Sequence, residues 1–185
     1  EHPGRDEKIL VAWNGLMISA MARSAGVLAC PAYAESAAAA AHFVLEHMYK
    51  DGMLLHVYSA GQGARIRGYQ DDYACMANGL IDLFEATFDP RWLQKAVELA
   101  DLMVELFWDP EEGGFFYTEA DRPDVLVRTK NPFDNATPSG NSVAALVLLR
   151  LAALTEQARY RELGEKTLQL FGDLMSQSPT ACCQM

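Results

Sequence analysis

Three clusters of polar and aromatic residues could do chemistry in this sequence. The stretch GYQDDYACMANGL sets Asp71 against Asp72, with Tyr73 next to them. Neighbouring carboxylates repel, which favours one keeping its proton near neutral pH as a general acid while the other accepts hydrogen bonds. The plainer expectation is that one Asp caps a helix and the other is solvated. In EHPGRDEKILVAWNGLM, Trp13 stands beside Asn14. A flat apolar face next to a donor and an acceptor suits a sugar ring, and it equally suits a core Trp with a satisfied Asn. In FDNATPSGNSVAAL, Asp134, Ser139 and Asn141 surround Gly140. Ser139 is a natural helix cap and Gly140 permits close backbone approach, so ligand binding and helix initiation both fit. Two adjacent Asp cannot supply both carboxylates of a glycosidase. A partner about 5 to 9 Å across the cavity is needed, and Asp6 and Asp134 are the candidates.

Other chemistries find little support. Arg65, Arg67, Arg128 and Lys130 could meet an anion, but pairing with surrounding acids is the stronger expectation. His42 and His47 read as packing or surface residues. The four cysteines form no C-x-x-C pair and show no ligand spacing with the four histidines, so no metal site is expected. No P-loop, G-x-G-x-x-G, G-x-S-x-G or H-E-x-x-H is present, and no cofactor is expected.

The 185 residues are 50% hydrophobic and 22% charged, which excludes a disordered chain and predicts one globular domain over 1–185. With a net charge of -10 there is no basic field for nucleic acid. The longest greasy run, Ala37 to Leu45, is too short for a membrane span. Cysteines without a disulfide framework suit a reducing, cytoplasmic setting.

Period and punctuation predict helices over 8–25, 31–50, 71–88, 90–108, 139–155 and 158–175. Asp89-Pro90 and Cys30-Pro31 mark two starts, and Asp51-Gly52 and Gly113-Gly114 two stops. The fourth helix is apolar on one face and charged on the other. The fifth is apolar nearly all round and must be surrounded. Inner and outer helices therefore alternate, and the long links gather at the inner-helix N-termini. Those links hold two strand-like pairs, 54–58 with 65–67 and 115–118 with 125–128. Tyr33, Trp92 and Tyr160 recur early in the second helix of each pair, each followed four residues later by Ala37, Ala96 or Gly164. Three αα-hairpins of this kind point to an all-α array or an α/α toroid.

The segments AWNGLMISAMARSAGVL, GYQDDYACMANGLIDLFEATFDPRWLQKAVELADLMVELFWDPEEGGFF and NATPSGNSVAALVLLRLAALTEQARYRELGEKTL resemble one region of a known family. It is the C-terminal helical region of the thioredoxin-domain proteins related to spermatogenesis-associated protein 20. The resemblance implies an (α/α)6 toroid similar to N-acylglucosamine 2-epimerases and six-hairpin glycosidases, of which three hairpins are half. It implies that Trp13-Asn14, Asp71-Asp72-Tyr73 and 138–142 line the cavity. It carries no thiol chemistry, because no C-x-x-C is present. The functional expectation is a sugar-binding toroid domain with epimerase or hydrolase chemistry. The alternative from another class is a non-catalytic helical scaffold. An arc of three hairpins leaves apolar edges, so a homodimer with an interface of about 2,000 Å² or more is expected.

Overall fold

The computed structural model describes residues 4–185. His2, another polar candidate in the stretch that holds Trp13 and Asn14, lies outside them. Six helices follow one another: α1 (Val11–Val27), α2 (Pro31–His47), α3 (Gln70–Thr87), α4 (Pro90–Phe107), α5 (Gly140–Thr155) and α6 (Ala158–Gln177). They form three antiparallel hairpins. The inner helix α3 packs against both α1 and α5, whereas α2, α4 and α6 lie chiefly on their own hairpin partners. Helix α3 is buried almost throughout from Tyr73 to Leu83, and α5 buries Val143, Ala144, Val147, Leu148 and Leu151. The predicted inner and outer alternation is the one observed.

The hairpins are copies of one local plan. Within each, a non-glycine residue in the left-handed region (Ala29, Phe88 or Glu156, φ 50 to 57°) turns the chain two residues before the outer helix starts. Tyr33, Trp92 and Tyr160 are then each the third residue of α2, α4 and α6. Trp92 and Tyr160 are buried, Tyr33 is 39% exposed, and Ala37, Ala96 and Gly164, four residues on, are all buried. A small residue at that position lets the outer helix lie close to its partner. At Gly164 an added Cβ would come within 3.0 Å of Leu149.

The long links close the end that holds the inner-helix N-termini. Strand β3 (Met53–Ser59) pairs antiparallel with β1 (Ile9–Leu10), β2 (Tyr49–Lys50) and β4 (Gly63–Arg67). Because β1 runs straight into α1, this small sheet sits over the start of α1. The first expected strand pair is thus β3 with β4. The second, 115–118 with 125–128, does not form. Phe115 makes an isolated bridge to Trp108, and the amide of Tyr117 bonds Thr129 instead. The Gly113–Gly114 turn, with φ of 85° and 70°, sends the chain back along α4 at once, so Phe116 pairs with Phe107. Among the described residues no helix is long and apolar enough to cross a membrane, and no group of His, Cys, Asp or Glu could hold a metal ion.

Candidate functional site

Two residues pull the N-termini of α3 and α5 together. Buried Gln70, the first residue of α3, donates its backbone N–H to Tyr117 O at 3.1 Å and its side-chain amide to Gly140 O at 3.0 Å. A Cβ at 140 would stand 1.8 Å from Gln70 Oε1, so a larger residue there displaces the Gln70 side chain. Between the two helix starts lies a cavity of about 170 Å³, lined by Asp71, Tyr117, Asn135 and Asn141 among others.

The two adjacent carboxylates divide their work. Asp72 is fully buried and is bonded on both oxygens. Its Oδ1 accepts from Ala12 N at 3.0 Å, and its Oδ2 accepts from Tyr69 N at 2.9 Å and His56 Nδ1 at 2.8 Å. It therefore caps α3, pins the start of α1 to it and fixes a histidine, so both of its oxygens are engaged in holding structure. Asp71 is the opposite case. Its Oδ1 is buried without a protein partner, and burial together with the Asp72 charge pushes its pKa up to about 6. It is the one acid on the cavity wall among the described residues.

The remaining expected residues separate into wall, core and surface. Asn141 clamps the long link to α5: Oδ1 accepts from Phe115 N at 2.8 Å and Nδ2 donates to Phe115 O at 3.0 Å. Ser139 caps α5 through Ser142 N at 3.0 Å. Asp134 accepts from Ser139 N, Ser142 Oγ and Gln184 N, so both its oxygens hold the α5 approach in place. Tyr73 is a correction. Its ring lies in the core against Phe107, and its hydroxyl accepts from Leu54 N at 3.0 Å, with burial raising its pKa to about 12. Asp6 is exposed, bonded to Lys8 and absent from the cavity wall, so it is not the partner carboxylate that was expected. Trp13 is 63% exposed on α1, and Asn14 bonds Leu10 O one turn back. Neither lines the cavity.

Four residues of the long links join the site without a sequence signal strong enough to mark them as a set. The Tyr69 ring stacks on Tyr117 with centroids 4.8 Å apart and planes at 9°. The His56 ring meets it edge-on at 5.0 Å, and the Arg122 guanidinium lies 4.4 Å over it. The hydrogen bond to Asp72 raises the His56 pKa above its ordinary value, partly offset by burial. That bond requires the proton on Nδ1. Tyr117 is pushed upward by burial and by the nearby Asp71 charge.

Paired helices around a polar end, with the long loops over the inner-helix N-termini, define an α/α toroid of the kind found in sugar epimerases and glycoside hydrolases. Cellobiose 2-epimerase from Bacillus thermoamylovorans superposes with a TM-score of 0.75 at 15% identity, over 92% of this chain and 46% of that one. A family 76 α-mannanase from Bacteroides thetaiotaomicron superposes with a TM-score of 0.71 at 15% identity, over 90% and 45%. No family model matches the chain. Spermatogenesis-associated protein 20 of Mus musculus is 36% identical over 190 residues, 97% of this chain. The Homo sapiens protein of the same name is 36% identical over 193 residues, 99% of this chain. The chain belongs to that family and spans about a quarter of those relatives' length.

Proposed function

We propose that this chain is the sugar-binding arc of an α/α toroid, with the cavity between α3 and α5 as the saccharide site and Asp71 as its proton donor, in chemistry of the epimerase or glycoside hydrolase type. The observation that carries the reading is a buried carboxyl, unpartnered at Oδ1, with its pKa at about 6 on the wall of a polar cavity. A general acid works best with a pKa close to the working pH. Two solved structures of like fold are a cellobiose 2-epimerase and an α-mannanase, which supports a saccharide as the ligand class.

The test joins binding to stability. In a calorimetric panel of cellobiose, glucose, mannose and N-acetylglucosamine, at least one sugar is expected to bind, and Asp71→Asn to weaken it by about tenfold or more. The same substitution stabilises the fold. Because the folded pKa lies above 3.8, the folded state binds more protons between about pH 4 and pH 6, and stability falls as pH rises through that window. Asp71→Asn therefore changes little at about pH 4 and gains on the order of 2 kcal/mol at about pH 7, read from urea melts at both pH values. If no sugar binds and the substitution destabilises at both pH values, the carboxyl is structural and the scaffold alternative replaces this reading.

The reading includes a homodimer. Trp13 (63% exposed) and Met17 (59%) lie one turn apart on α1, and Leu154 is exposed on α5, so both flanking inner helices carry apolar side chains in solvent. A second arc would cover them, complete the ring and supply a group facing Asp71. Light scattering at micromolar concentration is expected to give twice the chain mass, and a monomer would exclude the pairing. Four free cysteines favour a reducing, cytoplasmic compartment.

A further inference from the structure

Among the described residues, three side-chain polar atoms are buried with no protein partner: Asp71 Oδ1, Thr118 Oγ1 and Arg122 Nη1. Native interiors leave few such atoms, and a group of them asks for an explanation. These three belong to one neighbourhood. Arg122 lies on the Tyr69 ring, Tyr69 stacks on Tyr117, Thr118 follows Tyr117, and Asp71 lines the cavity beside Tyr117. They differ in what they lack. A guanidinium N–H only donates and a hydroxyl can donate, so Arg122 and Thr118 lack an acceptor, whereas Asp71 Oδ1, ionised above about pH 6, lacks a donor such as a sugar hydroxyl.

The charges point the same way. The Arg122 side chain is only 8% exposed, and its one ionic contact, from Nε to exposed Asp124, is long at 3.5 Å. The acids close to it in sequence are engaged elsewhere. Glu119 pairs with Arg67 at 3.0 Å, and Asp121 also acts on Arg67. The buried carboxylate of Asp72 is taken up by His56 and two backbone amides. By contrast, the cations that stood out in the sequence are spent: Lys130 lies 2.7 Å from Asp109, Arg128 donates to Thr118 O, and Arg65 donates to Ser59. In a chain of net charge -10, Arg122 is thus a buried cation over an aromatic ring with Nη1 unpaired. That planar fork is suited to two acceptor oxygens of a carboxylate or a phosphate.

We infer that an anionic subsite adjoins the saccharide site, in which Arg122 Nη1 and Thr118 Oγ1 receive an acidic group of the sugar, a carboxylate or a phosphate. The inference rests on the sugar-site reading and narrows its ligand to an acidic sugar. The test is calorimetry on the intact chain with D-glucuronate, D-glucose 6-phosphate and D-glucose, at about 50 mM and about 300 mM salt. At least one of the two acidic sugars is expected to bind about tenfold tighter than glucose. High salt should shrink that preference, Arg122→Gln should remove it, and Arg122→Lys should keep part of it. The carboxylate and phosphate arms identify which acid is taken. Glucose binding as tightly as both acids, or an unchanged preference in folded Arg122→Gln, overturns the subsite and leaves the sugar site standing. Failure of all three sugars and of the neutral panel overturns both. Should Arg122→Gln fail to fold, the Arg122→Lys variant and the salt dependence of the unaltered chain still decide: a preference indifferent to salt contradicts the inference.

Discussion

Gly15→Ala is expected to lower the stability of this protein by about 3 kcal/mol or more, the upper range for overpacking, because the atoms in the way are main chain. Gly15 lies where α1 crosses α3. An added Cβ would stand 2.5 Å from the carbonyl carbon of Cys75, 2.6 Å from its oxygen and 2.7 Å from Met76 N. Gly79 faces it on α3, with its own Cβ position 2.6 Å from Gly15 O. No rotamer change relieves such a clash, so α1 must move off α3. The consequence reaches the site. Ala12, one turn earlier on α1, donates to Asp72 Oδ1, and that bond helps fix the carboxylate that orients His56. Denaturant unfolding measures the loss, and the His56 ring resonances should shift with it. A Gly15→Ala protein as stable as the parent would mean that α1 and α3 are not in close contact.

Arg150→Ala is expected to cost about 3 kcal/mol, since removing one partner of a buried pair leaves the other charge uncompensated. Arg150, on otherwise apolar α5, reaches across the inner layer to α3. It bonds Asp82 at 2.7 Å, Glu85 at 2.9 Å and the Asn78 side-chain oxygen at 2.8 Å. Asp82 is buried and also accepts from Ser19 of α1 and from Asn78. One cluster therefore joins all three inner helices. Replacing both charges should be far milder than removing one, because a buried ion pair exchanged for neutral groups is often close to neutral. The double variant Arg150→Met with Asp82→Asn, compared with each single change in thermal melts, separates the two cases. A double variant as damaged as Arg150→Ala alone would show that packing by the arginine stem, not charge, is what matters.

The helices were legible because their signals are local. Proline at the first position of α2 and α4, Asp89 and Ser139 as side-chain caps, and the all-apolar run of α5 each follow from a few neighbouring residues. The expected glycine stops fell late, since α2 ends at His47, before Asp51-Gly52, and α4 at Phe107, before Gly113-Gly114. Helices α3 and α5 end on Phe88 and Glu156 in the left-handed region, held there by the short turn into the next helix. The long links were only half legible. Alternation marks β3 and β4, but the path after Gly114 is decided by Asn141, which clamps Phe115 from 26 residues away. The site divides similarly. Asp71 and Asp72 attract notice as a pair, yet which one caps and which one faces the cavity depends on Ala12, 60 residues from Asp72. His56 and Arg122 lie in separate links and carry no motif. They meet only because the sheet over α1 and the loop beyond Tyr117 converge on the Tyr69 ring.

The central claim is that Asp71 is a ligand-facing carboxyl with a raised pKa, and a carbon-13 NMR titration of its side-chain carboxyl, without sugar and then with saturating saccharide, tests it most directly. The account predicts a midpoint near pH 6 in the free protein, from burial and the neighbouring Asp72 charge. It also predicts that added saccharide displaces that midpoint. A midpoint in the ordinary carboxylate range, near 3.8, unmoved by any sugar, would contradict it.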